Sequence, residues 1–89
     1  MAAPQRSIVR EHEFEEQLDA LLVNAEEADD FVMAAESVLA QYPEIGELVA
    51  DTPRNIWKVP MAPVRDRAVA LFYTFNEEFV IFLYIVAYD

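Results

Sequence analysis

Apolar positions in this chain change their period once, near residue 43. From about His12 they follow helical spacing: Phe14, Leu18, Leu21 and Leu22 fall at i, i+4, i+7 and i+8. Glu11, Glu15, Glu16 and Asp19 lie mostly elsewhere on the wheel, as expected of an amphipathic helix. Asn24 interrupts the run, and Glu27 follows it by three residues, the spacing of a capping box. Phe31, Ala35, Val38, Leu39 and Tyr42 then repeat the stripe until Pro43 and Gly46, the chain's one glycine, stop it. So short a join predicts an antiparallel helical hairpin over about residues 11–42.

Beyond the glycine the period is that of strands. Trp57, Val59 and Met61 alternate with Ile56, Lys58 and Pro60, and Pro60 suits a strand end or a sheet edge. Arg67 to Phe75 and Glu78 to Tyr88 are rich in β-branched and aromatic residues, with Asn76-Glu77 as a tight turn between them. Residues 61–66, MAPVRD, read as a loop, and RSIVR at 6–10 as a short first strand. The order β-α-α-β-β-β predicts an α+β fold in which the helical hairpin packs on one face of a small antiparallel sheet, about residues 56–88. Eighty-nine residues make this a single domain, 1–89. Residues 42–60 are its connector, ending the hairpin and delivering the chain to the sheet.

The last strand poses a problem of faces. Strict alternation sends Phe79, Ile81, Leu83, Ile85 and Ala87 one way and Val80, Phe82, Tyr84, Val86 and Tyr88 the other. Both sets are apolar, whereas a half-solvated antiparallel sheet alternates apolar with polar. Helices on one side cover one set. The second set, Val80, Phe82, Tyr84, Val86 and Tyr88, is therefore expected to bind a partner. The alternative is a curved sheet whose edges and loops hide that face.

Charge changes the picture further. Net charge is −11. Residues 1–51 hold thirteen Asp and Glu against Arg6 and Arg10, whereas residues 52–89 hold four acids against Arg54, Lys58, Arg65 and Arg67. The entire excess lies in the helical half. Phosphate binding needs clustered Lys and Arg, so direct nucleic-acid binding is not expected. Cysteine is absent, which excludes disulfides and thiolate metal sites and fits a reducing compartment. The start has no apolar stretch of signal-peptide length, and the longest apolar run is about half a membrane helix. A soluble cytoplasmic protein that needs no cofactor or metal, and no membrane, is the resulting expectation.

Among single residues, His12 at a helix start beside glutamates reads as a solvated surface residue, and no second histidine is present for metal or relay chemistry. Trp57 reads as half-buried packing. The carboxylates of 11–30 read as a solvated helix face, with nucleic-acid mimicry as the functional counterpart. Arg54, Lys58, Arg65 and Arg67 are the one cationic cluster, serving salt bridges to the acidic helices or a target.

Taken in order, these features resemble the RelE/ParE family of type II toxin–antitoxin toxins. The likeness rests on four segments: the charged hairpin ending in Tyr42-Pro43-Glu44-Ile45-Gly46, the strand with a basic residue at 54–61, Val69-Ala70-Leu71-Phe72-Tyr73-Thr74-Phe75 with its tyrosine, and the aliphatic closing strand from Glu78 to Ala87. The resemblance implies the toxin of a plasmid-stabilisation type system, held by a cognate antitoxin, with gyrase or the ribosome as target; the apolar face of the last strand itself makes homodimerisation a second way to cover it. Its ribonuclease branch implies a ribosome-dependent mRNA endonuclease, in which cations hold the scissile phosphate and an acid–base pair moves protons. Arg54, Lys58, Arg65, Arg67 and Tyr84 are the candidates for those roles. The position three before Tyr73, an arginine in the family, is Ala70 here, which favours action by binding over cleavage. An acidic interaction module without toxicity is the reading from another class.

Overall fold

The structure is a computed structural model and describes residues 5–22, 24–50, 55–64 and 66–88. Strand β1 (Ser7–Arg10) leads into helices α1 (His12–Leu21) and α2 (Ala25–Leu39). A short 3₁₀ turn, Pro43–Ile45, precedes β2 (Glu47–Ala50), β3 (Ile56–Val64), β4 (Arg67–Phe75) and β5 (Phe79–Tyr88). The five strands form one sheet in the order β1-β5-β4-β3-β2.

This is the α+β architecture that the patterning predicts, with three differences. The connector contributes a strand of its own, β2, paired antiparallel to β3. The sheet is mixed, because β1 runs parallel to β5 at one border. Residues 61–64 continue β3 rather than forming a loop, with a register irregularity between Met61 and Val64.

Local chemistry explains the element boundaries. Asn24 caps α2: its Oδ1 accepts from the backbone N–H groups of Glu26 at 2.8 Å and Glu27 at 3.2 Å, satisfying two donors that a helix start leaves unpaired. Asn76 does the same for the β4–β5 turn, accepting from Glu78 N and Phe79 N at 2.8 Å each. Arg6 fastens the border strand. Its backbone N–H donates to the Ala40 carbonyl at 3.0 Å, its Nε donates to the Asn76 carbonyl at 2.6 Å, and its guanidinium lies 5.6 Å from the Phe75 ring centre, within cation–π range.

The core lies between the helices and one sheet face. From α1 it takes Phe14 and Leu18, and Leu22 just beyond, as the apolar stripe predicts. From α2 it takes Ala28, Val32, Ala35 and Leu39. That stripe is rotated from the expected one: Phe31 is half-buried, while Val38 and Tyr42 are exposed. Ala28, Val32, Ala35 and Leu39 turn inward, and the larger Phe31 and Val38 are left along the flank of the helix.

Candidate partner-binding surface

The register of β4 and β5 decides which side chains meet the helices. Phe72 pairs with Tyr84, and the next residue, Tyr73, pairs with Phe82. Leu83 is thus an extra residue, a β-bulge. It resets the alternation, so that Val80 and Phe82 share the helix face with Ile85, while Tyr84 and Val86 lie on the opposite face.

Two of the five expected partner-binding residues are corrected by this. Val80 and Phe82 are both 0% exposed, and the Phe82 ring packs 5.3 Å from that of Phe14 in α1. They belong to the core. Ile85, assigned by strict alternation to the same face as Leu83, is also in the core, whereas Leu83 is buried without joining it. Tyr84, Val86 and Tyr88 remain on the outer face.

Cross-strand pairing assembles that face in rows. Lys58, Phe72 and Tyr84 form one row, and Pro60, Ala70 and Val86 the next. Val9 and Thr74 flank Ile81 toward the other end. The rings of Phe72 and Tyr84 stack at 4.8 Å with an interplanar angle of 22°, giving a flat aromatic centre. Val9, Phe79 and Tyr88 are exposed, and Phe72, Ile81, Tyr84 and Val86 are half-buried. No helix of the described residues covers this side. Phe72 was missed by reading β5 alone, since the alternation of β4 places it opposite its helix-facing neighbours Leu71 and Tyr73; Ile81 was missed because strict alternation was carried through the bulge.

Among the described residues, the cationic and tyrosyl candidates are not brought together. Lys58 and Tyr84 share a row but stand two strand spacings apart, roughly 10 Å, with the Phe72 ring between them. Arg67 opens β4 at its far end and pairs with Val64. Arg54 and Arg65 lie outside the described residues. His12 is solvated, its Nε2 2.8 Å from Glu16 Oε1 one turn along α1. Trp57 is half-buried, 5.2 Å from the Phe75 ring.

Tyr73, at the position that carries the family likeness, has a different task. It is 0% exposed, and its hydroxyl donates to the Pro43 carbonyl at 2.5 Å. Burial pushes its pKa up to about 12; a hydrogen bond from the Gly46 backbone opposes this, and the charge of Glu44 adds to it. Gly46 is required here for space: an added Cβ would lie 2.3 Å from the Tyr73 hydroxyl and 2.7 Å from the Lys58 carbonyl. Its φ of −78° is open to any residue. The connector is therefore a clamp, holding the end of the hairpin against the centre of the sheet.

No protein-family model matches this chain, and no curated protein matches it. None of the helices of the described residues is long and apolar enough to cross a membrane.

Proposed function

We propose that the protein is a toxin, or a toxin-fold homologue, of a type II toxin–antitoxin system that acts by binding a protein partner and is held by a cognate antitoxin. The observation that carries this reading is the uncovered aromatic and aliphatic sheet face centred on Phe72, Tyr84 and Val86. Apolar surface of this extent that no described residue covers is the kind that another protein covers. The family likeness supplies the class of partner, and the layered α+β architecture agrees with it. The wide separation of Lys58 from Tyr84, together with Ala70 at the family's arginine position, favours binding over mRNA cleavage.

The test is expression of the chain alone and together with the product of an adjoining small reading frame. Growth arrest that the second product relieves, with co-purification of the two, is the expected result. Phe72→Asp and Tyr84→Asp are each expected to abolish co-purification while leaving the thermal transition of the isolated protein in place. Normal growth with no co-purifying product would overturn the toxin reading. Position-specific mRNA ends on programmed ribosomes would replace it with the endonuclease.

A further inference from the structure

A second surface lies on the helix side of the sheet, between α2 and β3. The contact stripe of α2 is narrow, so the helix leaves a trough beside it. Two cavities of about 530 and 200 Å³ occupy this trough and meet at Ala34, Met61 and Ala62. Together they follow α2 from Glu27 to Leu39, roughly 18 Å at 1.5 Å per residue. That length accommodates about three turns of a second helix. The floor is apolar, formed by Phe31, Met61 and Val64 at one end and by Val38 and Ile45 at the other.

The rim of the larger cavity is anionic. Glu27 and Asp30 are exposed and stand one turn apart on α2. Neither has an ion-pair partner among the described residues. Neither helix contains Lys or Arg, so nothing within the helical layer offsets them. Beyond its pairing with β2 at Ile56–Lys58, β3 forms the border of the sheet here. Pro60 and Pro63 interrupt its backbone donors, which guards that border against strand addition. An occupant is therefore held by side chains rather than by a backbone ladder.

We propose that this trough docks an amphipathic, cationic peptide helix of a partner protein, its apolar side chains on Phe31, Val38 and Met61 and a Lys or Arg against Glu27 and Asp30. Apolar burial supplies the contact, and the net charge of −11 draws a cationic partner and repels an acidic one. The site lies across the sheet from Phe72 and Tyr84. It does not rest on the toxin reading.

The probe is a fluorescein-labelled twelve-residue helical peptide of Leu and Lys, measured against the full chain by fluorescence anisotropy. Its controls are a Leu/Glu peptide of the same spacing and a Ser/Lys peptide of the same charge. Both are expected to bind at least about tenfold more weakly, a difference that separates apolar fit from bulk attraction. Ala34→Trp fills the junction of the cavities from an exposed position and should reduce binding by about tenfold or more with an unchanged melting transition. Paired Glu27→Gln and Asp30→Asn should weaken binding several-fold and flatten its salt dependence. Amide shift mapping on the unmodified chain should place the peptide at Ala34, Met61 and Ala62, which keeps the question decidable should Ala34→Trp misfold. Equal binding of the Ser/Lys peptide, or shifts confined to Phe72, Tyr84 and Val86, would overturn the proposal.

Discussion

The two faces of the sheet are close in composition and opposite in fate. Phe82 and Tyr84 stand two places apart in β5, yet one is sealed under α1 and the other stacks, half-buried, on Phe72 on the opposite face. Regular alternation would put both on one side. The difference shows that hydrophobicity alone did not assign the faces. The bulge at Leu83 did, by letting the first half of β5 and its second half offer opposite parities to the same helices. What distinguishes the core from the candidate surface is cover, and cover is a property of register.

The strongest way to break this comparison is to truncate one residue on each face. Phe82→Ala should cost about 3–5 kcal/mol, the usual loss when a buried ring leaves a cavity, enough to remove most of a small domain's stability. Tyr84→Ala should cost under about 1 kcal/mol, because its ring is half-buried and its removal leaves no enclosed cavity. Denaturant melts followed through Trp57 fluorescence measure both. Equal losses would mean that the outer face is core as well.

Next in size is an alkaline transition that belongs to the covered face. The Tyr73 hydroxyl has an ordinary value of 10.0 and is pushed up to about 12 in the folded protein. Between those values the unfolded chain has released the proton and the folded one has kept it. Stability from this group is thus fully present below pH 10 and is lost as pH rises through 12, by about 2–3 kcal/mol. Melts from pH 8 to 12 should show the decline, and Tyr73→Phe should lack that component while starting lower, having lost the bond to the Pro43 carbonyl.

Deletion of Leu83 sharpens the argument about parity. Within a regular strand, removing one residue carries every side chain beyond it to the other face. Here the deletion should leave Phe82 opposite Tyr73 and Tyr84 opposite Phe72, because these pairs already exist around the extra residue. The expected outcome is a cooperatively folding protein that has lost about 2 kcal/mol for one buried leucine. A molten or insoluble product would show that the bulge is needed for more than register.

Much of the fold was legible in the residues. Helical and strand periods located the hairpin and the three long strands, and Asn24 and Asn76 marked their starts through chemistry that is local to the chain. The strand Glu47–Ala50 was not legible, since four residues after a helix stop show no period. Val80 and Phe82 were read onto the wrong face because both sets of β5 are apolar, and Leu83 carries no glycine to announce a bulge. Gly46 was read as a helix stop, while the space it leaves for the Tyr73 hydroxyl emerges only when residues 27 positions apart meet. The α2 stripe was read through Phe31 and Val38, whereas the buried set is Ala28, Val32, Ala35 and Leu39, because the sequence period fixes the spacing of a stripe but not which neighbouring row of the helix meets the core.

The smallest effect probes the seam between the two halves of β5. β1 pairs with Phe79–Phe82 and then ends, so the strand beyond loses its neighbour on that side. Gln17 of α1 compensates, its Oε1 accepting from the Ile85 N–H at 2.8 Å. Ile85 is also the first residue after the bulge to return to the helix face, so this bond holds the reset in place. An unmade bond to a buried donor costs about 1–3 kcal/mol, but Gln17 is half-buried and water can reach part of the site. Gln17→Ala should therefore cost about 1 kcal/mol, at the low end of that range. Gln17→Glu keeps an acceptor at the same reach and should avoid most of that loss. Hydrogen exchange gives the local readout: the Ile85 amide should exchange faster in Gln17→Ala and near its original rate in Gln17→Glu, with the Leu71 amide unchanged in both. An Ile85 amide indifferent to Gln17→Ala would mean that the strand holds its second parity through side-chain packing alone.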